Sequence, residues 1–295
     1  MPSALFRALC AVFNSDGVLG EEMDHPLFVA LFGLAGRRLI QVHDHEPHDA
    51  NHELGLFKRT LRAWQLRRAH GLIAFSQNVA KHLRARFPEK VVSAAQLLSE
   101  MPDSYVDAPR EHATRKHFLF IGRLYPYKNV GLVQEVARTV LSGTGEELHV
   151  LGSGPETVRS DDVVKHLKAR FEFAELAVDG GGYRAMLMPY TSATQSGVQL
   201  VAAQLGLPCI LTRTPGLMEY ANSADLMIDF ESARLELEEA IVTVLSWSQA
   251  EQDKRSRIVY DHYIQTLSHA HAGEAFVRSV ESMLCNPNAP GGKRR

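Results

Sequence analysis

The chain has 295 residues, 45% hydrophobic and 22% charged, with 32 Lys+Arg against 34 Asp+Glu and a net charge of −2. This is the composition of a globular protein that can bury a core, and its length suggests two domains or one large one. The near balance of charge excludes a nucleic-acid binder acting through bulk charge, so no nucleic-acid partner is expected.

In chain order, Leu27–Leu34 reads as an apolar helix ending near Gly33 or Gly36, and Arg38–His43 as a short strand. A polar, His-rich segment follows to His48. Leu54–Arg68 predicts an amphipathic helix with a basic outer face, Gly71–Phe75 a buried strand, and Ser76-Gln77-Asn78 the cap of a helix through Phe87. Val91–Leu98 holds one more short strand. Pro102–Arg115 is polar, lacks apolar periodicity and reads as an interdomain linker.

The second half alternates more regularly. His117–Ile121 is a buried strand, and Asn129 caps a helix whose Val130, Val133, Val136, Ala137, Val140 and Leu141 share one face. Strands are predicted at Leu148–Leu151, Ala185–Met188, Pro208–Leu211 and Leu226–Ile228, with a helix at Ser196–Leu205. Helices occupy 233–246, 249–266 and 268–284, and Asn286–Arg295 reads as a disordered tail. Strands alternating with helices indicate a parallel α/β sheet covered on both faces, whose ligands sit beyond the carboxyl ends of the strands.

The segments that follow each strand are therefore where ligand chemistry belongs. Gly122-Arg123-Leu124-Tyr125-Pro126-Tyr127-Lys128-Asn129 sets two cations five residues apart around a turn that opens a helix. Arg offers a planar fork to phosphate oxygens and Lys a point charge; the alternative is a pair of solvated loop charges. Gly152-Ser153-Gly154-Pro155 permits close backbone approach to a ligand, or is a plain tight turn. Pro189–Gly197 brings small polar residues to a helix start, where backbone N–H groups face an anion or a Ser simply caps the helix. Glu219, after Thr214-Pro215-Gly216, is suited to sugar hydroxyls or is a surface carboxylate. The imidazoles His43, His45, His48 and His52, with neighbouring carboxylates, suggest zinc only weakly, because no HExxH helix or Cys partner accompanies them.

Taken together and in order, residues 117–285 resemble the donor-binding half of family 4 retaining glycosyltransferases, which have the two-Rossmann GT-B fold. Gly122-Arg123 with Lys128-Asn129 looks like the family's GR-x(4)-KN segment, and Gly152–Pro155 like its GxGP turn. Ala193-Thr194-Gln195-Ser196-Gly197-Val198 resembles a bacterial ATQSG subgroup, and Gly216–Glu219 the GGLPE loop. Residues 39–105 are more loosely similar to the acceptor half, with His43-Asp44 and Pro47-His48 looking like an HD-x(2)-PH loop.

The resemblance implies a donor-diphosphate site of Gly122, Arg123, Lys128, Gln195, Ser196 and Gly197, and a nucleoside site of Gly152, Ser153, Gly154 and Pro155. It implies sugar contacts by Glu219 and Gly216, with His48 or His43 assisting catalysis. The co-substrate is a nucleotide-diphospho-sugar, no cofactor or metal is expected, and the acceptor is a sugar or lipid-linked sugar. Two departures stand out. The family's pair of glutamates eight residues apart aligns with Ala193 and Val201, and nothing in residues 1–38 reads as the family's first strand and glycine-rich loop.

The implied domains are 1–108 (a shortened N-terminal acceptor side), a 109–116 linker, 117–266 (donor side), a 267–285 crossover helix and the 286–295 tail. The short N-terminal part suggests a shortened homologue, a fragment, or a gene model begun at an internal Met. The implied activity is retaining sugar transfer in polysaccharide, lipopolysaccharide or glycoconjugate biosynthesis. The rivals are a sugar-nucleotide epimerase of the same fold and a degenerate nucleotide-binding partner subunit. Three widely spaced cysteines, Cys10, Cys209 and Cys285, fit a reducing compartment, and no sequence run of about 18 apolar residues predicts a membrane span. The expected location is the cytoplasm, with contact to the inner face of a membrane through Lys58, Arg59, Arg62, Arg67 and Arg68 as an alternative to a solvated helix face.

Overall fold

The computed structural model describes residues 17–21, 26–44, 56–106 and 114–285. The chain divides into two compact units, one of Met1–Leu97 with Ala272–Arg295 and one of Leu98–His271.

The first unit carries a parallel sheet in the order β1-β2-β3-β4, made of β1 (Val18–Gly20), β2 (Arg38–Val42), β3 (Gly71–Ala74) and β4 (Val91–Ala94). The edge strand β1 corrects the expectation that no strand precedes Arg38. Its three residues lie half-open to solvent and are too short to show an alternating pattern, yet Leu19 pairs with Leu39. The helices are α1 (Pro26–Leu34), α2 (Leu56–Arg68) and α3 (Gln77–Arg86). Ser76 starts α3 as expected, its Oγ accepting the Val79 N–H at 2.9 Å. Alternation splits the sheet's side chains between two faces. Ile40, Val42, Leu72 and Ala74 pack with Phe32, Leu66, Val79, Leu83 and Phe87, while Leu39, Ile73 and Phe75 face the other way.

The second unit holds six parallel strands in the order β10-β9-β8-β5-β6-β7. They are β5 (Phe118–Ile121), β6 (Leu148–Leu151), β7 (Val164–Lys168), β8 (Ala185–Met188), β9 (Cys209–Thr212) and β10 (Leu226–Ile228). Every residue of β5, β8 and β9 is buried, as helices on both faces of a parallel sheet require. The helices are α4 (Val130–Leu141), α5 (Phe173–Asp179), α6 (Gly197–Gln204), the short turn α7 (Pro215–Met218), α8 (Ala233–Ser246) and α9 (Gln249–His262). A π-helical turn, Tyr263–Leu267, continues α9. The polar edge strand β7, reading Val-Lys-His-Leu-Lys, escaped sequence reading because only Val164 is fully buried.

Two sequence readings change here. Asn129 stands at the start of α4 but makes no side-chain cap; it adopts a left-handed conformation, φ 59°, that turns the chain into the helix. The segment read as a linker is packed at both described ends. Asp103 accepts from Tyr263 Oη at 2.5 Å and from the His269 N–H at 3.1 Å, and Gln204 Nε2 reaches it at 3.2 Å. The buried Arg115 guanidinium donates to Ser256 Oγ at 3.1 Å and to the Gly181 carbonyl.

Buried Asp225 ties the start of β9 to the turn before β10, accepting from Cys209 N at 2.8 Å, Asn222 N at 3.0 Å and Asn222 Nδ2 at 2.9 Å. Burial outweighs these donors and raises its pKa to about 6. Because the folded pKa lies above the unfolded one, this group favours the fold below its ordinary value near 3.8 and loses that contribution as pH rises through 6. Asp225→Ala strands two main-chain donors and is expected to cost about 1–3 kcal/mol in denaturant melts.

The last helix, α10 (His269–Leu284), belongs to the first unit from Ala272 onward. There Met283 and Phe276 cover Leu39, Ile73 and Phe75, with the Phe75 and Phe276 rings stacked at 6.1 Å. Ser93 Oγ donates to Ser279 Oγ at 2.8 Å. Among the described residues no helix is long and apolar enough to cross a membrane. The 286–295 tail and residues 109–113 lie outside the described residues.

Candidate functional site

The strand order locates the site. From β5 the chain moves outward through β6 to β7, then returns to the other side of β5 for β8, β9 and β10. The order therefore reverses between β5 and β8. Loops leaving two such strands diverge toward opposite faces and open a crevice at their carboxyl ends. Gly122–Asn129 leaves β5 and Pro189–Ser196 leaves β8, so two segments singled out from sequence flank the switch point.

The β5 loop begins with Gly122 at φ 107°, which no L side chain adopts readily. A Cβ there would also stand 2.5 Å from Lys128 Nζ and 3.3 Å from Val198 Cγ2. The missing side chain thus makes room for the ammonium beside the start of α6. A 3₁₀ turn, Pro126–Lys128, folds Lys128 back over Ile121. Arg123 is exposed, its guanidinium carbon 5.5 Å from the Tyr125 ring centre.

Lys128 is 5% exposed. An ammonium has three donors. Among the described residues this one makes a single hydrogen bond, a long 3.4 Å contact to the Ile121 carbonyl, and lies 5.1 Å from the Tyr190 ring centre. Burial, helped by the Arg123 charge and opposed by Glu100, pushes its pKa down to about 8. The side chain is a charged group short of partners in a desolvated place, which is what an anion-binding cation is before its anion arrives.

Two opposite pH effects are expected from this group. Anion affinity falls as pH rises through 8, where the charge is lost. Stability moves the other way, because between 8 and the ordinary 10.5 the unfolded chain binds more protons than the folded one. The fold therefore gains as pH rises across that window. Urea melts at about pH 7 and pH 10 test this: any stability advantage of Lys128→Met over the parent shrinks at the higher pH.

The neighbouring loops are keyed to this one by main chain. Gly122 N donates to Leu151 O at 2.9 Å, Leu124 N to Ser153 O at 2.9 Å, and Glu156 N to Leu124 O at 3.0 Å. Gly152 has φ 133°, and a Cβ on it would fall on the Gly122 carbonyl oxygen, while one on Gly154 would stand 2.5 Å from Leu124 O. The close approach that these glycines permit is to protein backbone; Ser153 and Pro155 are exposed beside it.

On the other side, Thr191 N donates to Tyr127 O at 2.8 Å, and the Tyr127 ring meets Tyr190 edge-on at 5.9 Å. Ser196 caps α6, its Oγ accepting from Gln199 N at 3.3 Å. Ser196 is buried, and Gln195 and Gly197 are half-buried. Gly216 N donates to Ala193 O at 3.1 Å, and a side chain at Gly216 would run into the Thr194 backbone. The Thr214–Glu219 segment, read as a loop, forms the turn α7 and leaves Glu219 half-buried at its end.

The structure thus brings Gly122, Arg123, Lys128, Ser196, Gly197 and Gly216 to the carboxyl edge of one sheet, on loops and the helix starts that follow them. His43 lies in the first unit, its ring 4.7 Å from Phe75, and His48 lies outside the described residues. Sequence reading missed the Tyr125, Tyr127 and Tyr190 rings around the two cations. It also missed a cavity of about 340 Å³ at the carboxyl ends of β9 and β10, lined by Thr212, Arg213, Thr214, Asp229, Phe230, Glu231 and Ser232. Arg213 pairs with Asp229 there at 3.0 Å, and the buried Thr214 Oγ1 has no hydrogen-bond partner among the described residues. Its sequence signal is Arg213, a cation directly after β9.

Residues 115–246 match the profile of the glycosyl transferases group 1 family. No curated protein sequence matches the chain. Among solved structures, a TarM variant from S. aureus in complex with fondaparinux, alpha-GlcNAc-glycerol and UDP superposes with TM-score 0.69 and 12% identity, covering 93% of this chain. This chain spans 58% of that protein. Sucrose-phosphate synthase from Thermosynechococcus elongatus gives TM-score 0.68 at 15% identity, covering 95% of this chain and 78% of its own. Trehalose-6-phosphate synthase, studied for glycosyl transfer with retention, gives 0.68 at 11% identity, covering 95% and 78%. At these identities the likeness is one of fold: the chain has the GT-B architecture of two Rossmann-like units with parallel sheets.

Proposed function

We propose that the second unit binds a nucleotide-diphospho-sugar and that the chain transfers the sugar to a hydroxyl acceptor, as a family 4 enzyme retaining anomeric configuration. The observation that carries this reading is Lys128, a buried ammonium with one long hydrogen bond at the switch point of the sheet. Breaking the anomeric C–O bond leaves negative charge on the diphosphate. Lys128 and Arg123 oppose that charge, and the free N–H groups of the first turn of α6 add the positive end of a helix dipole. The donors are fixed before the reaction, so little reorganisation is needed when the charge develops.

In this reading Gly152–Pro155 borders the nucleoside, Gly216 and Glu219 border the sugar, and His43 or His48 hydrogen-bonds sugar or acceptor. The acceptor is a sugar or lipid-linked sugar of a polysaccharide or glycoconjugate pathway, met at the cytoplasmic face of a membrane. The profile match over 115–246, the UDP in the TarM complex and the retention studied in trehalose-6-phosphate synthase support the reading.

The experiment is a thermal-shift and calorimetric titration of the purified chain with UDP, GDP and ADP. Binding of at least one is expected, with stabilisation of about 2.7 kcal/mol at a hundred times its Kd. Failure of all three to bind overturns the reading. One observation favours a second reading, a nucleotide-binding partner without turnover. Ala193 and Val201, where the family carries its glutamates, are both packed in the apolar core. Nucleotide binding without donor turnover, in the presence of an acceptor pool, would select it.

A further inference from the structure

We propose that His117, Glu147 and His149 form a site for a divalent transition-metal ion of the Zn²⁺ type at the amino-terminal end of the second unit's sheet. The strands run parallel, so this is the edge opposite the Gly122–Lys128 loop. One ligand atom from each of the three residues lies within 4.8 Å of the other two. The set offers two imidazole nitrogens and one carboxylate oxygen, the donor chemistry that Zn²⁺ takes with a fourth position left to water.

The fold assembles the set through register. Phe118 pairs with Leu148 and Leu119 with His149, which brings His117 alongside Glu147 and His149. His149 is the one half-buried side chain in a strand otherwise packed into the core. His117 holds φ 64°, a conformation uncommon outside glycine, and its ring sits 4.7 Å from that of His149. Glu147 Oε2 lies 2.7 Å from His149 Nε2. A metal ion would replace the proton that these two atoms now share.

The surroundings suit coordination. His149 Nδ1 pairs with Tyr183 Oη at 3.0 Å, the outer hydrogen bond that fixes the tautomer of a metal-bound histidine. One adjustment is needed. His117 Nδ1 now accepts the Glu147 N–H at 3.0 Å, and coordination through the other nitrogen requires a proton on Nδ1. That proton displaces the Glu147 N–H from Nδ1, and Glu146 Oε2, now 3.7 Å from Nδ1, must move within hydrogen-bond range to accept it.

The test uses the full chain, stripped with EDTA and titrated with Zn²⁺ alone against a chromophoric chelator, and separately with Co²⁺ read by its visible spectrum. One equivalent of Zn²⁺ is expected, with affinity lowered by more than about a hundred-fold where a ligand is lost, in His149→Ala and in Glu147→Gln, and by about ten- to a hundred-fold, through orientation, in Tyr183→Phe. Because His43–His52 carries four imidazoles, a variant with His45, His48 and His52 replaced by alanine serves as the comparison and should bind as the parent does. Absence of stoichiometric Zn²⁺ uptake overturns the proposal, as does parental affinity in both His149→Ala and Glu147→Gln. If His149→Ala fails to fold, His149→Gln in the Co²⁺ titration decides: an unchanged spectrum counts against the site.

Discussion

Replacing Lys128 by methionine is expected to lower the rate of sugar transfer about a hundred-fold, since one preorganised charge-stabilising donor is typically worth about 3 kcal/mol in the transition state. Methionine keeps an unbranched stem of similar length among Gly122, Val198 and Tyr190, so the substitution removes charge and little volume. The desolvation that pushes the Lys128 pKa down to about 8 is relieved in the variant, so it should be no less stable than the parent at neutral pH. Lost activity then cannot be ascribed to unfolding. Steady-state kinetics with a donor identified by the nucleotide titration should place the loss in kcat, with the acceptor KM unchanged. An unchanged kcat would remove the phosphate role from this residue. Arg123→Ala, at an exposed and better screened position, should cost less, about ten-fold.

Gly152→Ala is expected to destabilise the second unit by about 3 kcal/mol or more, far beyond the cost of an ordinary surface substitution. Two obstacles add. The backbone at φ 133° is closed to side chains, and the new methyl would coincide with the Gly122 carbonyl oxygen. That oxygen cannot retreat easily, because Gly122 N is bound to Leu151 O at 2.9 Å and Leu124 N to Ser153 O at 2.9 Å. Any relaxation displaces Gly122 and, with it, the space occupied by the Lys128 ammonium, so nucleotide affinity should fall together with stability. Gly36→Ala is the control: a Cβ there meets nothing within 4 Å, and the change should stay within about 0.5 kcal/mol. Urea denaturation of both variants, with nucleotide titration of the folded fraction, checks the pair.

What could be read from sequence follows from how strongly each element depends on local pattern. The strands β5, β8 and β9 are short runs of Phe, Leu, Ile and Met buried at every position, and α4 shows its apolar face at helical spacing. Those signals survive without tertiary information. The strands β1 and β7 depend on a neighbour instead. Val18–Gly20 and the polar Val164–Lys168 are strands because β2 and β6 offer them an edge. In the candidate site, Arg123 and Lys128 were legible as a pair of cations, but their difference was not. One is exposed and the other buried by a 3₁₀ turn and the absence of a side chain at Gly122, which residue spacing does not encode. The glycines at 152 and 154 illustrate the converse, since a residue type that suggests a ligand is here required by backbone from the next loop.

The return of the last helix to the first unit has a consequence for synthesis. The sheet face of Leu39, Ile73 and Phe75 is covered by α10 residues from Ala272 onward, and Leu98–His271 must be made in between. At about 5–20 residues per second, a ribosome needs roughly ten to thirty-five seconds to reach them. During that interval the earlier half lacks the α10 side chains that pack on this face, while the intervening half already holds the strands of its sheet. The second unit can thus finish folding before the first is complete. The amino-terminal half is the part of the nascent chain that chaperones would be expected to hold.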